Sequence, residues 1–76
     1  MKDKKQDANT LFDALKRDGN LQSDASLARA IGVHAPTITN MRQGRIEVGP
    51  AIIIKIMEAF HVPLPRIRRL LAGIKD

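Results

Sequence analysis

Seventy-six residues with no cysteine leave room for one small domain and exclude a disulfide framework, a thiolate metal site and a cysteine nucleophile. The longest apolar run, Ala51–Ile54, falls far short of the ~20 residues of a membrane span, and residues 1–10 carry no secretory h-region, so a soluble, cytoplasmic chain is expected. Thirteen Lys and Arg against eight Asp and Glu give a net charge of +5, which favours a polyanionic partner.

Residues 1–8 are expected to form a flexible basic tail, and residues 74–76 a short C-terminal one. Between them, residues 9–73 read as a single folded unit. Leu11, Phe12 and Leu15 recur at helical spacing, which predicts a first helix over about 9–17, capped by Asn9 or Thr10 and stopped by Gly19. Ser23-Asp24 opens a second helix of about eight residues, with Leu27, Ala28 and Ile31 as its apolar set and Gly32 as its left-handed end. After the tight turn Val33-His34, Pro36 stands at the first or second position of a third helix, where its missing N–H costs nothing. Ile38 and Met41 mark its inward face, and Gly44 ends it. Gly49-Pro50 starts a fourth helix to about His61, with Ile52/Ile53, Ile56/Met57 and Phe60 inside and Lys55 and Glu58 outside. Its β-branched Ile52-Ile53-Ile54 suits a strand on propensity, but the i, i+4 repeat and the lack of alternation favour a helix. A last helix over about Pro65–Ala72 carries Ile67, Leu70 and Leu71. The fold class is all-α, five short helices.

The informative stretch is 23–44: cap, short helix, glycine turn, second helix, glycine. Two helices crossing at about 90–120° need a small residue at their closest approach, and Ala28 supplies it. Gly32 supplies a turn residue free to take positive φ. With Ile38 and Met41 turned inward, the outward set of the second helix is Ala35, Pro36, Thr39, Asn40 and Gln43. That set is small or hydrogen-bonding and free of acids. The two aromatics of the chain, Phe12 and Phe60, both fall in apolar patterns. A single-strand binder stacking bases on exposed rings is therefore not expected, and duplex DNA fits better.

The run Leu27-Ala28-Arg29-Ala30-Ile31-Gly32-Val33, followed by Thr37-Ile38-Thr39-Asn40-Met41-Arg42 and Gly44, resembles the phage-repressor class of helix-turn-helix proteins, the lambda repressor/Cro-like (XRE-type) group. The likeness continues through Ile56, Phe60, Val62, Leu64 and Ile67 and covers about residues 9–72. It implies a compact five-helix bundle and a double-stranded-DNA-binding transcriptional regulator, usually a dimeric one. It also implies that residues 35–43 form the recognition helix in the major groove. The matched positions would then divide into two sets. Ala35, Pro36, Thr37, Thr39 and Asn40 would face bases, Asn40 as a bidentate partner of adenine. His34, Arg42, Gln43 and Arg45 would meet phosphates. Several positions depart from the family pattern. Asp24 replaces a glutamine that contacts phosphate, His34 replaces a capping Ser or Thr, and Pro36 replaces a polar reader of bases. His61 replaces a C-cap glycine. Arg42 replaces an acid that pairs internally, a role the arginine is not expected to take over.

No Gly-rich phosphate loop, Ser/His/Asp arrangement or paired carboxylates support catalysis, so no enzyme and no cofactor are expected. His34 and His61 lack the spacing of metal ligands. The Arg66/Arg68/Arg69 cluster reads as a solvated face. Candidates for a homodimer contact are Ile54, at the margin of the fourth helix's polar face, and Leu70, Leu71 and Ile74 near the C-terminus, the end through which family members dimerise; the alternative is that these last three cover the chain's own core. The competing reading keeps the fold and makes it a protein-interaction module of antitoxin or anti-repressor type. A membrane-surface role fits poorly, since no helix pairs a wide apolar face with a continuous basic one.

Overall fold

Each helix starts and stops at a residue whose chemistry explains the boundary. The computed structural model describes residues 6–75, so residues 1–5 of the expected basic tail and residue 76 lie outside the described residues. Five helices follow one another among the described residues, without a strand: α1 (Ala8–Asp18), α2 (Asp24–Ile31), α3 (Ala35–Arg42), α4 (Pro50–Phe60) and α5 (Leu64–Leu71). Ile52-Ile53-Ile54 is helical, as its spacing required.

The beginning of α1 differs from expectation. Asp7, rather than Asn9 or Thr10, is the cap, and its carboxylate accepts the Thr10 N–H at 3.0 Å. The Asp7 N–H in turn donates to the Leu71 carbonyl at 2.6 Å. Ala8 and Thr10 are both buried. Asp7 and Ala8, which fall inside the segment expected to be tail, are part of the fold, because an N-cap carboxylate and an apolar first turn are available there. The other end of α1 also differs. Asn20, at φ 54, takes the left-handed position, whereas Gly19 has an ordinary φ of −89. Gly19 is tied to its place by space, since a Cβ there would stand 3.0 Å from Cε1 of Phe60.

The core draws on all five helices. Leu11, Phe12, Leu15, Leu27, Ile38, Ile56, Ile67 and Leu70 are wholly buried. The radius of gyration is 11.4 Å, matching the value of about 11 Å for a compact domain of this length. Among the inward residues expected of α4, Ile56 alone is buried; Ile52, Ile53, Met57 and Phe60 are half-buried. The reason is that α2 and α5 pack on α4, and two neighbours do not cover so wide an apolar arc. Leu70 and Leu71 both belong to the core. That removes them as self-association residues and leaves Ile54 and Ile74 exposed, at 54% and 55%. Val48, in the connection between α3 and α4, is buried although no periodic pattern flags it. Both of its backbone groups are held by the Gln6 side chain: its N–H donates to Oε1 at 2.8 Å, and its carbonyl accepts from Nε2 at 3.2 Å.

Candidate nucleic-acid interface

The α2–turn–α3 unit is assembled from local rules. The Ser23 hydroxyl accepts the Ser26 N–H at 3.1 Å and so caps α2, and Asp24 adds a negative charge at the positive end of the helix. Ala28 is buried at the point where α2 approaches its neighbours. At the end of α2, Gly32 sits at φ 92, a left-handed geometry that a side chain would strain. Its N–H and that of Val33 both donate to the Ala28 carbonyl, at 2.8 and 2.9 Å. This closes the helix and turns the chain toward α3. His34 is extended and makes no side-chain cap, and α3 begins at Ala35 with Pro36 second. At its far end the Gly44 N–H donates to Met41 and the Arg45 N–H to Asn40, at 3.1 and 2.9 Å. That pair of bonds is a Schellman closure, and Gly44 at φ 78 makes it accessible.

Advancing about 100° per residue, α3 divides its surface cleanly. Ile38 and Met41 point inward and are buried. Pro36, Thr39, Asn40 and Gln43 fall within an arc of about 100° on the other side. Pro36, Thr39 and Gln43 are exposed and Asn40 is half-buried. Ala35 is also exposed, and Thr37, at the flank, is half-buried. His34 and Arg45 bracket the helix at its two ends, both exposed. Of the positions expected to face DNA, Pro36, Thr39, Asn40 and Gln43 share this arc, while Ala35 and Thr37 lie outside it on opposite flanks; α3 carries no acid.

Arg42 is arranged differently. Its Nε and Nη2 form a fork on the Asp24 carboxylate at 2.9 and 3.0 Å, Nη2 also donates to Asp13 at 3.0 Å, and Nη1 donates to Asn9 at 2.8 Å. The guanidinium carbon lies 5.6 Å from the centre of the Phe12 ring, within cation–π range. Four of the five N–H donors of an arginine are thus used inside the protein, a poor match to the phosphate contact expected of this residue. The expectation that Arg42 cannot replace an internally paired acid is overturned. The pairing survives with its sign reversed, because Asp24 supplies the carboxylate. No spacing rule links positions 24 and 42, so sequence reasoning had no signal for this.

Electrostatics follow from the geometry. Burial would push the Asp24 carboxyl up, but the hydrogen bonds and charges of Arg42 and Lys16 outweigh it and hold the group below its usual range. Lys16 reaches Asp24 at 3.2 Å. Burial likewise works against the Arg42 cation, and Asp24 and Asp13 more than offset it, leaving its affinity for the proton above the ordinary value. The carboxylate that replaces the family's phosphate-contacting glutamine is therefore compensated by two cations. Among the described residues, no group of three or more metal-ligating side chains gathers and no helix is long and apolar enough to cross a membrane.

A family model described as helix-turn-helix matches residues 15–67. That span contains the capped α2, the Gly32 turn, α3 and the helices that support them. No curated protein and no solved structure matches the chain.

Proposed function

The chain belongs to the XRE/Cro-type helix-turn-helix family, which is DNA-binding and non-enzymatic, and from that premise we propose a sequence-specific double-stranded-DNA-binding transcriptional regulator, a repressor. In this reading residues 35–43 enter the major groove. The observation that carries it is the two-sided character of α3: one edge is buried through Ile38 and Met41, and the opposite edge offers amide and hydroxyl groups to solvent with no acid among them. Asn40 reads adenine, Thr37 and Thr39 offer a hydroxyl or a methyl to base edges, and Ala35 and Pro36 pack against thymine methyls. His34, Gln43 and Arg45 meet phosphates and set the register. A single eight-residue helix covers few base pairs. Two copies on half-sites about one helical turn apart supply useful affinity, and Ile54 and Ile74 are, with Ile46, the exposed large apolar residues available for their contact.

Selection of duplexes from a random pool tests this reading, with an enriched palindrome as the expected result. On the selected site, Asn40→Ala should cost about 1–3 kcal/mol and relax preference at one base pair. Arg45→Ala should weaken all duplexes alike. Affinity should fall with salt, at a log–log slope of about −0.9 for each phosphate that a cation neutralises. A pool that returns no enriched sequence would remove the regulator reading and leave the protein-interaction module.

A further inference from the structure

We propose that Arg42 is a positioning residue: its guanidinium, held jointly by α1 and α2, fixes the roll of α3 and with it the direction in which Thr39 and Asn40 face. This rests on the reading of α3 as the recognition helix. The argument is geometric. α3 is eight residues long and its buried anchors are Ile38 and Met41, three positions apart. Two contacts on one side of a short helix define a line, about which the helix can turn at little cost in buried area. A third attachment off that line is needed to stop the turning. Arg42 follows Met41 by about 100° around the helix and stands about 160° from Asn40. A clamp there therefore acts across the helix from Asn40 and about 60° from Thr39.

The clamp has the form that restricts rotation. Asp24 accepts two parallel N–H bonds from the guanidinium, a planar fork that fixes orientation as well as distance. Asp13 and Asn9, one helical turn apart on α1, take two further donors, and the Phe12 ring supports the face of the group. The Arg42 side chain is only 16% exposed. Lys16 completes the charge balance on Asp24. A lysine has one rounded ammonium in place of the fork and cannot span these partners in the same way.

The test separates this role from a phosphate contact by the sign and pattern of its effects. Dissociation constants for the selected duplex and for a scrambled one are measured over a range of salt, using the parent, Arg42→Lys, Asp24→Ala and the double variant. The ratio of the two constants does not depend on the folded fraction, so a loss of stability alone leaves it unmoved. With Arg42 as a clamp, Arg42→Lys lowers the ratio of the scrambled to the selected constant by about tenfold, of the order of one misplaced base contact, and leaves the salt slope unchanged. Asp24→Ala does the same although it removes a negative charge, and the double variant is no worse than either single one. If Arg42 instead meets a phosphate, Arg42→Lys binds like the parent and Asp24→Ala binds every duplex more tightly; either result overturns the proposal. Residual dipolar couplings of the α3 amides in the free protein provide the arm that needs no DNA. A changed α3 orientation in Arg42→Lys and Asp24→Ala supports the clamp, and an unchanged one overturns it. A parent that fails to distinguish the two duplexes counts against the regulator reading, while the couplings still decide the clamp.

Discussion

His61 ends α4 at φ 56 and ψ 40, with its N–H donating to the Met57 carbonyl at 2.8 Å. A side chain in that left-handed conformation costs about 1–2 kcal/mol, and glycine avoids the cost. Asn20 is the other described non-glycine residue at positive φ, and it bears the conformation more easily because its short amide can bond locally. His61 has no such means and lies exposed, so a glycine there gives up no buried contact. His61→Gly is therefore expected to stabilise the domain by about 0.5–1 kcal/mol, after allowing for the greater freedom of glycine in the unfolded chain. For a chain of this size that corresponds to a rise of roughly 3–6 °C in the thermal midpoint, readable by circular dichroism. A midpoint at or below that of the parent would mean that the histidine makes a stabilising contact at this turn.

Between elements, the least anticipated feature is the latch joining the chain's start to the α3–α4 connection. Gln6 meets both backbone groups of Val48 across 42 positions of sequence, and Asp7 beside it joins the end of α5. Gln6→Ala strands the Val48 N–H and carbonyl together, and should cost about 1–2 kcal/mol. The expected signature is local: exchange of the Val48 amide accelerates in hydrogen-exchange measurements, while core amides such as that of Leu15 slow or quicken only with global stability. Equal acceleration everywhere would show that the latch is part of the global core. The helices themselves were legible because their signals are local: Ser23 as a cap, Gly32 and Gly44 as stops, Pro36 and Pro50 in first turns, and apolar residues three and four apart. The outward edge of α3 was legible for the same reason. The latch, the burial of Val48 and the partners of Arg42 were not, whereas the Asp7 cap is a local signal that the choice of Asn9 or Thr10 passed over. Each of those three joins residues whose proximity depends on how the helices pack, and a polar side chain such as Gln6 carries no periodicity that would betray its partner.

For the whole molecule, stability of about 4–11 kcal/mol is the range for a domain of this length, so even about 1 kcal/mol from the polar cluster under α3 would be a sizeable share. The cluster also makes that share depend on pH. Burial opposes the charge on the Asp24 carboxyl, but Arg42 and Lys16 outweigh it and lower its affinity for protons in the folded state below the ordinary value. A carboxyl shifted in this direction contributes stability that is fully present above its unfolded value and is lost as the pH falls through its folded value. Between neutrality and about pH 5, unfolding free energy should therefore be flat as far as this group is concerned, and it should decline below about pH 4. The Asp24 side chain is 33% exposed, so solvent screening limits the effect to about 1 kcal/mol. Urea unfolding of the parent and Asp24→Asn isolates it. At neutral pH the variant is the less stable of the two, and the gap closes as acid protonates Asp24 in the parent, since both proteins then carry a neutral side chain at that position. Added salt should narrow the gap at neutral pH but leave it unchanged in acid, because only the charged pair is screened. A gap that stayed constant down to about pH 2 would place the worth of Asp24 in packing or in its uncharged hydrogen bonds, and the ion pairs with Arg42 and Lys16 would then carry no net stability.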